Sequence, residues 1–309
     1  MTNKKIQSWP KGGFENFFEY VSSYIHLNIN LDDDVSCRRY HDEWMGRYKS
    51  AIEKWTRYDV TIWSVRCRQA LKLSFSATYF ALAAKEAQKN KVLASKYYLS
   101  YYSMLHAMWA VLFLHPDLSL DAVTDITHSK IANFFHASFT QKKKGIITYN
   151  AKEMAENLRF MREYYSYRMP LNYPFGRAEN ISKTDIHLGG FVKQSIQLAN
   201  LHSHILRKAA EKQGMSGAAC VPSEQHDIFR RDFFRINGKE HPTSDLNLLD
   251  PADSVARDEY LTRGCDLVPL SIGYEHMYDE FMTYADGGDE LPENEIIRET
   301  RSLVYGALF

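Results

Sequence analysis

"SKYYLSYYSMLHAMWAVLFLHPD", residues 95–117, is the stretch on which the fold turns. Tyr98, Tyr102, Leu105, Trp109 and Leu112 recur at three-and-four spacing, the period of an α-helix, and Pro116 stops it. Apolar side chains run nearly all the way round this helix, which suits the centre of a bundle and not its surface. Ser100, Ser103 and His106 interrupt the run, and it is short for a bilayer span, so it reads as a core helix in a protein without a membrane segment.

Upstream, "SVRCRQALKLSFSATYFALAAKEAQKN" (64–90) repeats the spacing with Leu71, Phe75, Tyr79 and Leu82. Downstream, "HSKIANFFHASFTQKKKG" (128–145) reads as a helix with Lys142, Lys143 and Lys144 at its carbonyl pole and Gly145 as its cap. Asn150 and Glu153 form a capping-box pair for the helix "AKEMAENLRFMREYYSYR" (151–168), which ends before Pro170. "DIHLGGFVKQSIQLANLHSHILRKAAEK" (185–212) closes the set. No strand pattern competes, so the expected fold class is all-α, a helical bundle over 64–212.

Residues 1–63 read as an N-terminal helical extension, with helices at 13–27 and 39–57 and a turn at "NLDDDV". "RYDVTIW" (57–63) has an extended character. Small residues and glycines at 213–223 suggest a linker. Beyond it, 213–309 reads as an acidic region of irregular segments and helices near 250–262, 271–285 and 293–306. The apolar end "SLVYGALF" calls for docking on the bundle or on a partner.

The chain has 309 residues, 45% of them hydrophobic and 25% charged, a balance that supports a sizeable folded core. Its formal charge of zero hides a division. Residues 213–309 carry 19 acidic against 8 basic side chains, and residues 1–212 carry 19 against 30. Such a split fits two parts that attract each other within one fold, or a basic surface covered by an acidic guard. Cys37, Cys67, Cys220 and Cys265 are far apart with no CxxC pair, which excludes the usual zinc spacing and argues against a disulfide framework. A reducing, cytoplasmic setting follows from that usage, and "MTNKKIQSWPKGGF" lacks the apolar core of a signal peptide.

The stretches "KYYLSYYSMLHAMWAVLFL", "HSKIANFF" and "LRFMREYYSYRMPLNY", in that order, resemble the HEPN superfamily of helical domains. The resemblance covers about half the chain, and both flanks lie outside it. It implies RNA as the partner, because many members are metal-independent ribonucleases of toxin–antitoxin and anti-phage systems. It also implies a homo-oligomer or a protein partner encoded nearby, and no cofactor. The family's active motif is an arginine and a histidine separated by four to six residues. Here the windows after Arg159, Arg162 and Arg168 hold tyrosines, Ser166, Arg168, Met169, Pro174 and Phe175, and no histidine. A tyrosine with a pKa of about 10 is a poor general base at pH 7.

Arg162, Arg168, Tyr167 and His128 are therefore the candidate catalytic set, with His128 supplying from another helix the histidine that the local motif lacks. Arg159, Tyr165, Tyr173 and Arg177 are the candidate RNA-binding set, arginines for phosphate and tyrosines for bases. The competing reading, which such residues more commonly bear out, is a packed, capped helix end with the arginines on carbonyls or paired to Glu163. His106 reads as a satisfied core residue. His202 and His204 are two apart, hence on different helix faces, and no histidine has a partner at metal-ligand spacing. No glycine-rich phosphate loop, HExxH motif or serine-nucleophile elbow occurs. Three functions stay open: an RNA-directed HEPN-like protein of a conflict system, acting by binding or atypical cleavage; a non-catalytic scaffold subunit of a defence complex; and a small-molecule sensor using the bundle's interior.

Overall fold

The computed structural model describes Phe14, residues 24–27, Leu31, and residues 33–140, 145–168, 183–226, 251–284 and 295–309. Among the described residues there are ten α-helices and no strand. They are α1 (Asp34–Ile52), α2 (Asp59–Lys89), α3 (Leu93–Phe113), α4 (Leu120–Thr124) and α5 (His128–Phe139). They continue as α6 (Ala151–Tyr167), α7 (Lys183–Lys212), α8 (Pro251–Arg263), α9 (Leu270–Tyr284) and α10 (Glu295–Leu308).

α3 is the hub, packing against α2 along its length and against α5, α6 and α7. The buried face runs through Tyr97, Tyr101, Met104, Leu105, Met108, Val111 and Leu112. Tyr98 is half-exposed, and Tyr102 and Trp109 are only partly buried, so the stripe named from spacing straddles the core and its edge. On α2, Leu71 and Leu82 are buried, but Tyr79 faces out. Helices apolar all round leave the exact core-facing register open, because several stripes satisfy the same period.

Asp33 accepts a hydrogen bond from the Ser36 N–H at 2.8 Å, so α1 starts at its aspartate turn, five residues before the expected 39. "RYDVTIW" is not extended: α2 begins inside it. Asp59 Oδ2 accepts from the Thr56 N–H and hydroxyl, and Val60 and Trp63 are already buried. The expected boundary at 63/64 thus falls within a continuous helix. α5 ends at Thr140, not Gly145. A Cβ on Gly145 would lie 2.8 Å from the Phe139 carbonyl, so this glycine serves close approach to the helix end. The expected 13–27 helix and Lys142–Lys144 lie outside the described residues, apart from Phe14 and a turn at 25–27.

Asn150 caps α6 as expected: it accepts from the Glu153 N–H, and its amide donates to the Glu153 carboxylate at 3.0 Å. α7 ends in a Schellman turn, with Met215 N–H on the Ala210 carbonyl and Gly214 at φ 70°. α10 docks on α2 and α7 and buries Val304, Ala307 and Leu308, which places the apolar end of the chain on the bundle. Asp253 of α8 sits between Arg68, at 3.1 Å, and Lys72 on α2. At that point, acidic and basic parts of the chain attract each other within one fold.

Two buried polar centres hold the region that leads to α5. The Arg66 guanidinium donates to the carbonyls of Phe113 (2.5 Å), His115 (3.2 Å) and Leu118 (2.8 Å), and stacks on Trp63. Burial lowers its pKa to about 9, which still leaves it charged at neutral pH. Tyr48 donates to the Leu114 carbonyl at 2.5 Å, so its oxygen accepts from His202 Nδ1–H, and His202 Nε2 accepts from Tyr40. Trp109 Nε1 then pins α4 by donating to the Val123 carbonyl at 2.8 Å. Together these bonds fix the turn that delivers His128 to the first position of α5.

Candidate functional site

α3, α5 and α6 converge on an open cleft of about 560 Å³. α6 supplies Arg159 and Arg162, α5 begins it with Thr127, His128 and Ser129, and α3 contributes Tyr101 and Trp109. His128 Nδ1 lies 3.3 Å from the Tyr101 hydroxyl. The His128 ring meets both Tyr101 and Tyr102 edge-on, with centroids 5.8 and 5.6 Å away. The Arg162 guanidinium carbon sits 4.6 Å from the centre of the Tyr101 ring, a cation–π contact. An arginine and a histidine from two different helices thus share one cleft.

Glu163 ties the two arginines together, accepting from Arg159 Nε at 2.9 Å and from Arg162 at 3.2 Å. Those hydrogen bonds, Arg159's first, hold the carboxyl below its ordinary pKa. Arg159 is more than half exposed and Arg162 mostly covered. Asp125 lines the same cleft and tempers its positive charge. Thr127 caps α5 without a side-chain hydrogen bond, and no acid occupies the first turn, so the positive pole of that helix opens here.

Burial and then the charges of Arg162 and Arg159 lower the His128 pKa, leaving the imidazole neutral at pH 7 with a lone pair to accept a proton. Burial raises the phenol of Tyr101 against the pull of Arg162 and Arg159, so it stays protonated. His106, behind Tyr102, bonds to the Ser76 hydroxyl at 2.8 Å, and burial lowers it to about 4. It is a satisfied, neutral side chain, as the sequence reading held.

The other named residues separate. Tyr165 stacks on buried Tyr97 at 4.9 Å and is part of the α3–α6 packing. Tyr167, the last residue of α6, is 78% exposed. Arg168 is the C-cap of that helix: its N–H donates to the Tyr164 carbonyl and its side chain is exposed, apart from the cleft. Tyr173 and Arg177 lie outside the described residues. His202 and His204 point to different partners, the first to Tyr40 and Tyr48 and the second to Ser271.

Sequence reasoning named His128 at the start of α5 but not Tyr101, Trp109, Asp125 or the backbone N–H groups of that helix end as parts of a site. Their meeting depends on the α3–α4–α5 turn, for which the sequence carries no local motif. Among the described residues no group of three acidic, histidine or cysteine side chains is arranged to hold a metal ion, and no helix is long and apolar enough to cross a membrane. Scans against protein-family models, curated proteins and solved structures found no match to this chain.

Proposed function

We propose that the chain is a HEPN-like, RNA-directed protein of a prokaryotic conflict system, and that the α3–α5–α6 cleft takes a phosphodiester of single-stranded RNA. The observation that carries this reading is the convergence of His128, Arg159 and Arg162 in one open cleft, which restores from two helices the pair missing from the local motif. Arg159 and Arg162 neutralise a phosphate, and the N–H groups opening α5 donate to its oxygens. Trp109, only partly buried at the edge of the cleft, offers ring surface to an adjacent base.

Binding is favoured over cleavage. With Nδ1–H donating to Tyr101, the Nε2 of His128 is free to take a proton from a ribose hydroxyl. The other proton-bearing side chain facing His128 in the described cleft is the phenol of Tyr101, which burial makes a weak acid for the leaving oxygen. The described helices of the acidic C-terminal third pack on α2 and α7, away from this cleft, so the guard idea has no described contact behind it.

The test is fluorescence anisotropy of the full chain with a single-stranded RNA across a salt series. Affinity should fall steeply with salt, and Arg159→Ala should reduce the slope by about 0.7 per lost phosphate contact. Absence of binding at low salt, or an unchanged slope in the variant, overturns the reading. A second reading, a scaffold subunit, draws on Phe160, Tyr164 and Tyr167, which recur along an exposed face of α6. A protein partner lost on Phe160→Ser with RNA binding intact would favour it.

A further inference from the structure

A separate cavity of about 220 Å³ lies between α2, α3, α7 and α10, on a different side of α3 from the cleft. Its floor is apolar, built from Leu82, Leu188, Val192, Ile196 and Leu303. Its polar wall carries Lys85 on α2, Lys96 on α3 and Lys193 on α7, with no carboxylate among the described lining residues. Lys96 is 3% exposed, with its ammonium 4.6 Å from the Tyr97 ring. Ser100 is equally buried and lines the same space.

The hydroxyls around Ser100 are satisfied within the bundle. Ser103 donates to the Ala77 carbonyl, Ser74 to Ala70 and Thr78 to Ser74. Ser100, which lines the cavity, makes no such bond among the described residues. Cationic groups and this donor beside an apolar floor match a ligand with one anionic head and a hydrocarbon body. The volume falls below the roughly 300–1,000 Å³ of pockets for drug-sized ligands, which points to a smaller molecule than a nucleotide.

We propose that this cavity binds a small amphipathic monocarboxylate, its head at Lys85, Lys193 and Ser100 and its chain on the apolar floor. The reading is independent of RNA, since none of these residues lines the His128 cleft.

Isothermal titration of the full chain with butyrate, hexanoate and octanoate tests it. Affinity should rise about fourfold per methylene until the cavity is full, then level off. Inorganic phosphate and 1-octanol, which supply the charge or the chain alone, should bind at least about tenfold more weakly than octanoate. Lys193→Met should weaken octanoate about tenfold, and Ser100→Leu, which fills the space, should abolish its binding. Should Ser100→Leu fail to fold, Lys193→Met and Lys85→Met decide the matter, since both positions lie at the rim. No saturable octanoate binding, a flat chain-length series, or rim variants that bind like the parent would each overturn the assignment.

Discussion

Lowering the pH from 7 to 5.5 should strip this protein of much of its stability through its buried histidines. His202 is fully buried, and desolvation pushes its pKa well below the ordinary value. Burial lowers His115 to about 3, and lowers His106 and His204 to about 4. In the unfolded chain each titrates near 6.5, so the unfolded state takes up protons that the fold refuses. The folded values are the depressed ones. The stabilisation is therefore complete above about pH 7 and is lost as pH falls through 6.5 towards the folded values. Well below 6.5 each group removes about 1.4 kcal/mol per pH unit, and four together about 5.6. Between pH 7 and 5.5 the loss is about 5 kcal/mol, set against about 5–15 kcal/mol for a typical domain. Urea unfolding followed by circular dichroism at pH 7.5, 6.5 and 5.5, at constant ionic strength, measures it. A His204→Asn variant should shed about a quarter of the slope. Stability constant within about 1 kcal/mol over that range would refute the reasoning.

Other consequences follow from single contacts. Asp253→Ala should destabilise by about 3–5 kcal/mol by removing the carboxylate from buried Arg68, whereas Asp253→Leu with Arg68→Met should recover most of it in the same urea assay. Asn150→Ala should cost about 1 kcal/mol by uncapping α6, read as a lowered melting temperature. Glu163→Gln should raise RNA affinity about threefold at low salt, because the carboxylate competes with phosphate for Arg159 and Arg162. A weaker-binding Glu163→Gln would instead make Glu163 the residue that positions the arginines.

The helices were legible because their signals are local. Asn150 with Glu153 marked the start of α6, and the period of 95–117 the central helix. Where a signal depended on neighbours, the reading slipped. "RYDVTIW" looked extended because its β-branched and aromatic residues favour strands, yet burial of Val60 and Trp63 makes it the first turn of α2. The candidate site was legible in part. Arg159, Arg162 and His128 were named from the resemblance and the missing histidine, but Tyr101, Trp109 and Asp125 join them only through the folded turn. Tyr165, named for a base, is held by Tyr97, a partner on another helix that no sequence spacing reveals.

The most direct test of the cleft is the titration of the His128 ring by nuclear magnetic resonance, assigned with His128→Asn, without and with single-stranded RNA. Burial and the two arginines should place its pKa below the ordinary histidine value in the free protein, and a bound phosphate should raise it. A His128 resonance that titrates identically with and without saturating RNA would contradict the account.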